Sequence, residues 1–366
     1  MGSTGSTGMT SAAGTDADGE RRNVSDVTGV AVLGACAAWS LVTAAVHGGR
    51  PEGVLLAVLA VAAGYAVGRI CGVLLPVAAP GAAALTGLVL TVALPRLAPG
   101  PEIDAPLGHA GATAAVLTLS AGAACCAAWA TSVPVLRLGL WLLACSAVVA
   151  GALLGSATAV VTCCAVLLCS LAAGRMRHRG PALSGLAVST ALLTGLTWAV
   201  AGNALPSGLA ASLEDQLTSR RIGLWRDALR LARGDGGLGV GPGRFGELSA
   251  TAAQSTLSDG KPHSAPLQLA AEQGVPGVLL LGAAFCWVLF ALWRAPRPTP
   301  VVLTAGAALT ALAALTAVGN ALSFTTVSVG AGLLAGLATA RPLAEVPPSE
   351  APAVPDRERH RDRRTV

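Results

Sequence analysis

Blocks of about 20 apolar residues recur along almost the whole chain, and a block of that length matches the hydrocarbon thickness of a bilayer. They lie near 28–47, 53–68, 72–95, 107–130, 133–153, 156–173, 183–203, 266–292, 300–319 and 321–340. Backbone polar groups in hydrocarbon must pair internally, so the spans are helices or one closed barrel. Barrel strands need only about 10 residues of alternating polarity, and these runs are continuous. The fold expected is therefore all-α, a polytopic transmembrane helical bundle of about ten spans. Charged residues make up 12% of the chain, against about 25% for a soluble domain.

Arginine sets the expected orientation. The short connections at Arg69, Arg137, 175–179 and 294–297 fall on one side of the bundle, which the positive-inside rule makes cytoplasmic. Both termini then lie inside, with 1–27 and 341–366 expected as disordered cytoplasmic ends. The first apolar run is too long for a signal-peptide core and no clear cleavage site follows it, so it is expected to be a retained span. Seven spans fill 28–203 and three fill 265–340, with an extracytoplasmic loop at 204–264 between them. The nine cysteines all lie in or beside apolar runs without zinc spacing, and read as small membrane-core residues. The net charge of +5 is modest and no basic and aromatic residues interleave, so a nucleic-acid partner is not expected.

The loop at 204–264 carries Arg220, Arg221, Arg226, Arg230, Arg233, Arg244 and Lys261. Long loops escape the orientation rule, so the topology survives but these cations need a reason. Within 213–233, Leu217, Leu224, Ala228 and Leu231 recur at helical spacing, which predicts an amphipathic helix lying in the interface plane. Its arginines suit lipid phosphates or a substrate phosphate, because guanidinium is always charged and donates a bidentate fork. A glycine run follows, in which Gly241, Gly243 and Gly246 spell GxGxxG. No strand precedes it and Pro242 sits inside it, so a tight turn is expected rather than a dinucleotide site. His263 then precedes the eighth span, and Gln268 and Glu272 share one helix face four residues apart. An ionisable group such as Glu272 in the first turns of a membrane helix is a functional candidate by default. His47, at the end of the first span, reads as a plain interfacial residue.

The order Arg221-Ile222-Gly223-Leu224-Trp225, Gly239-Val240-Gly241, His263, Leu267-Gln268, Glu272 and Gly274 resembles the signature of the O-antigen ligase and polymerase family. Two positions depart from it. The family's His-Asn is His263-Ser264 here, and its Ser-Arg upstream of the loop reads Ser156-Ala157. The resemblance implies a lipid-carrier-dependent glycosyltransferase that moves a glycan from undecaprenyl pyrophosphate to an acceptor hydroxyl outside the membrane. Its partners would be the lipid-linked donor, a glycan, lipid or protein acceptor, and membrane lipids. No metal and no cofactor are implied. Arg221, Arg244 and Arg226 are then the candidates for the pyrophosphate, with His263 and Glu272 as catalytic candidates and Trp225 and Gln268 in support. The imidazole suits proton transfer near neutral pH. Two other readings stay open: a transporter, against which the spans hold almost no buried charge, and a degenerate scaffold of a polysaccharide assembly complex, which the missing arginine at Ala157 motivates.

Overall fold

The computed structural model describes residues 9–97, 106–204, 219–234, 237–254, 260–319 and 321–341, and among them there is no strand. The helices are α1 (Met9–His47), α2 (Glu52–Leu74), α3 (Ala78–Leu97), α4 (Pro106–Ala130), α5 (Pro134–Leu153), α6 (Ala157–Ala173), α7 (Arg179–Ala201), α8 (Ser219–Gly234), α9 (Phe245–Leu248), α10 (Ala250–Ala253), α11 (Ala265–Arg294), α12 (Thr299–Val318) and α13 (Thr325–Thr339). A 3-10 turn, Ala321–Ser323, separates the last two. Among the described residues seven helices are long and apolar enough to cross a membrane, and three shorter apolar helices lie over the remaining blocks. The protein is a polytopic helical bundle. α1 starts at Met9, so residues 9–27, expected as a disordered terminus, continue the helix of the first span. No proline occurs before Pro51, and extending a helix already nucleated by the span costs little. The tail from 342 on lies outside the described residues, as does 205–218, which includes the first residues, 213–218, of the expected amphipathic helix.

α4 and α12 form the centre. Both are buried over most of their length, α4 against α3, α5, α6 and α12, and α12 against α6 and α7 as well. Leu119, Val166, Leu292, Val302, Leu309 and Leu334 meet in one continuous core. Small residues decide how closely the outer helices approach. Gly64, Gly68 and Gly72 on α2 face Gly332 and Gly336 on α13, and a Cβ at Gly68 would overlap Leu333 O. Four-residue spacing of glycine lets two membrane helices touch along their backbones, where dispersion rather than water exclusion drives association.

One end of this bundle is tied by arginine. Arg297 is buried at 5% exposure. It donates from Nε to Ala340 O (2.9 Å), just past α13, and from Nη2 to Gly72 O (2.6 Å) in the last turn of α2. A cation at the carbonyl end of a helix is favourable, and here one guanidinium serves two helix ends. Arg179 at the start of α7 donates to Ala295 O just past α11 (2.7 Å).

Candidate functional site

At the opposite end, α11 is broken. Gly274 has φ 67 and ψ −166, outside helical space, and Pro276 follows two residues later. Proline has no N–H and its ring displaces the carbonyl four residues back, here that of Glu272. The break therefore frees the carbonyls of the turn before it, and each finds a specific donor. Ala271 O accepts from Val240 N and Glu272 O from Gly241 N, both at 2.9 Å. Gln273 O accepts from Trp39 Nε1 of α1 at 3.0 Å.

This break is what the glycine turn docks on. Gly239 has φ +68, and a Cβ there would lie 2.6 Å from Glu272 C and 2.7 Å from Ala271 O. Only glycine meets both the left-handed backbone and the close approach. On its other side the turn grips α1 and the chain just after it: Arg50 N donates to Pro242 O (2.7 Å), and Arg244 Nη1 donates to His47 O (2.9 Å). Arg244 Nε also lies 3.8 Å from Glu247 Oε2.

Glu272 sits beneath the turn at 3% exposure. Backbone N–H groups of Gly243 and Phe245 and the Gln268 amide converge on its carboxylate, with Gln268 Nε2 at 3.4 Å from Oε1, and Lys261 contributes a positive charge. A buried carboxylate needs such donors. Glu272 and Gln268 thus come together as the helix spacing predicted, and they do so under the segment that carries Arg244.

α8 closes the site. Its apolar face, with Ile222, Leu224, Trp225, Ala228 and Leu229, is buried. Trp225, at 1% exposure, packs in one cluster with Phe245, Leu267, Ala271 and Ala201. The helix is amphipathic as expected, but this face covers α7 and α11 rather than lying on lipid. Asp227, on the buried side, is fixed by Ser249 Oγ (2.7 Å) and Thr251 N (2.9 Å) and pairs with Arg230. Burial acts to raise its carboxyl, but the Thr251 and Ser249 hydrogen bonds and the Arg230 charge outweigh it and hold the group below the usual carboxylate range.

The candidate cations differ in setting. Arg221 is half-buried, no ion pair engages it among the described residues, and burial pushes its guanidinium down from the usual value. Arg226 is exposed on the outer face of α8. Arg244 is half-buried and holds the α1 end. His263 is half-buried with φ 51, a left-handed conformation that is uncommon outside glycine. It immediately precedes Ser264, the residue that opens α11, whose buried hydroxyl has no hydrogen-bond partner among the described residues. Trp225 Nε1 is buried and has no partner among the described residues either. Ala157 is exposed at the start of α6, a helix that packs on α4, α5 and α12.

Sequence reasoning missed three contributors. His47 holds Arg244 through its carbonyl, Asp227 is a buried anchor for Ser249 and Thr251, and the Gly274 break organises the whole site. Gly274 and Pro276 inside one apolar block were the available sign of that break.

No curated protein matches the chain. The family model described as O-Antigen ligase matches residues 138–282, a segment that takes in α8, the glycine turn, His263 and the first part of α11, so that this segment of a polytopic membrane bundle is similar to the O-antigen ligase family.

Proposed function

We propose that the unit formed by α8, the 239–244 turn and the start of α11 transfers a glycan from a polyprenyl pyrophosphate donor to an acceptor hydroxyl on the outer face of the membrane. The single observation that carries this reading is Arg221: a half-buried guanidinium with no carboxylate paired to it among the described residues, in the segment that matches the ligase family. A desolvated cation of this kind is stabilised by an anion, and guanidinium matches phosphate oxygens two at a time.

In the reaction, the acceptor oxygen attacks the anomeric carbon. The bond from that carbon to the pyrophosphate oxygen breaks, and the electron pair leaves with the lipid pyrophosphate. His263 takes the acceptor's hydroxyl proton. Arg221 neutralises the charge that grows on the leaving oxygen, with Arg226 toward the outer phosphate. Each 1.4 kcal/mol so gained is about tenfold in rate. Arg244 and Glu272 act as positioning residues. Arg244 spends one of its five N–H donors on the α1 end, and Glu272 holds the turn from below. With alanine at 157, these loop arginines carry the phosphate charge without the upstream arginine that the family resemblance implies.

A place for the lipid supports the reading. An apolar cavity of about 490 Å³ runs between α7, α11 and α12 and reaches Pro266, three residues beyond His263. The arginine connections at the other end support an outer position for 204–264 by the positive-inside rule.

The test is turnover of a lipid-linked glycan by the purified protein in proteoliposomes. Arg221→Ala and His263→Ala should each reduce it by about two orders of magnitude, the usual scale for losing one charge-stabilising or proton-transfer group. Arg221→Lys should recover little, because lysine lacks the fork. Unchanged turnover in both alanine variants would remove these roles.

A further inference from the structure

Ser264 opens α11 but does not cap it. A serine at this position ordinarily accepts from an N–H of the first turn. Here the side chain makes no such bond, although the residue is 1% exposed and its Oγ has no hydrogen-bond partner among the described residues. Gln268 N is the first to bond back along the helix, to Ser264 O at 2.9 Å. Ala265 and Leu267 precede it in the first turn, where an N–H has no carbonyl one turn earlier to reach, and Pro266 has no N–H at all.

A second polar group in the same condition stands against this helix end. Trp225 of α8 belongs to the same buried cluster as Leu267, and its Nε1 has no partner among the described residues. An indole N–H can only donate. Arg221 precedes Trp225 by four residues, so the two share one face of α8, and the guanidinium is half-buried there.

Buried polar groups left unpaired are few in folded proteins and each calls for an explanation. Two of them at one helix end call for a ligand rich in acceptors. Phosphate oxygens supply those, and a helix N-terminus presents the positive end of its dipole. In membranes, the N-termini of half-helices meet anionic substrate groups in this way, and the break at Gly274 makes the first part of α11 a half-helix. Pro266 also lines the apolar cavity, so this helix end stands where a lipid tail would give way to its head group.

We propose that the N-terminus of α11 holds one phosphate of the lipid pyrophosphate, with the Ser264 hydroxyl and the Trp225 N–H donating to its oxygens and Arg221 supplying the counter-charge. The inference rests on the glycosyl-transfer reading for the identity of its ligand. The phosphate is present both in the donor and in the released lipid, so the contact can be measured without any transfer.

The experiment measures binding of glycan-free undecaprenyl pyrophosphate to the full chain in phosphatidylcholine nanodiscs. Ser264→Ala should weaken binding about tenfold, the scale of one hydrogen bond to a charged group. Its Tm should stay level or rise slightly, because the hydroxyl removed holds no other group in place. Trp225→Phe, which removes the N–H and keeps an aromatic ring, should also weaken binding, whereas Ser264→Thr keeps a hydroxyl and should retain most of it. Unchanged affinity in both Ser264→Ala and Trp225→Phe, with Arg221→Ala still losing it, would overturn this site and leave the transfer reading standing. No binding by the unaltered protein would remove both. A drop in Tm that accounts for the lost binding in Ser264→Ala would overturn the contact, because the hydroxyl would then be structural. So would displacement by phosphatidylglycerol at equal concentration with the same Ser264 dependence, because the ligand would then be any phospholipid phosphate.

Discussion

At the residue scale, Gly239 and Asp227 each do one definable thing. A Cβ at Gly239 meets a left-handed φ and two short backbone contacts, whereas Gly243, with φ +75, would meet Arg50 no closer than 3.4 Å. Gly239→Ala should therefore undock the turn and reduce turnover at least tenfold. Gly243→Ala should cost only its backbone strain, about 1 kcal/mol, seen as a small drop in Tm. Asp227 gives a pH dependence. Its carboxyl is held below the usual range, so its contribution is complete above the unfolded value near 4 and is lost as pH falls through the lower folded value. Thermal denaturation in detergent should show α8 docking insensitive to pH from neutral down to about 4 and weakening below it. Asp227→Asn should lower stability at pH 7 by about 1–3 kcal/mol, the cost of weakening hydrogen bonds to a buried charge. An unaltered melt for that variant would count against the docking role.

At the scale of elements, α11 shows what a sequence yields and what it withholds. Its apolar length announced a span, and the Gln268 and Glu272 spacing announced a shared face, because both follow from helical periodicity alone. The break at Gly274 was written in Gly274 and Pro276, yet neither residue by itself says which donors take the freed carbonyls. That depends on Val240, Gly241 and Trp39, which are brought to them by the fold. The amphipathic face of α8 was readable too, but whether it met lipid or protein was not, since Leu224 and Leu229 satisfy either. The break makes a prediction of its own. Pro276→Ala restores an N–H that competes for Glu272 O. Amide exchange at Gly241 should then accelerate and turnover fall several-fold, while the bundle keeps or gains stability. Unchanged exchange at Gly241 would show that the turn does not depend on the break.

For the whole molecule, charge and small residues divide the labour between the two ends. One end is held by arginines that serve helix carbonyls, the other by a broken helix whose carbonyls hold the glycine turn. Arg297 is the test of the first: Arg297→Gln loses charge-assisted bonds to both α2 and the end of α13, and should destabilise the protein by about 3–5 kcal/mol in detergent melts. The general architecture was legible because hydrocarbon leaves the backbone so few options. The close pairing of α2 with α13 was less so: Gly64, Gly68 and Gly72 mark a contact face, but a glycine pattern names no partner. The central claim concerns the second end, and its most direct measurement is a mass balance in proteoliposomes supplied with a polyprenyl pyrophosphate-linked glycan and an acceptor. The unaltered protein should release one lipid pyrophosphate for each glycan joined to acceptor, with both products lost together in Gly239→Ala. A donor that stays intact with the unaltered protein, or acceptor glycosylation that proceeds without lipid pyrophosphate release, would contradict it.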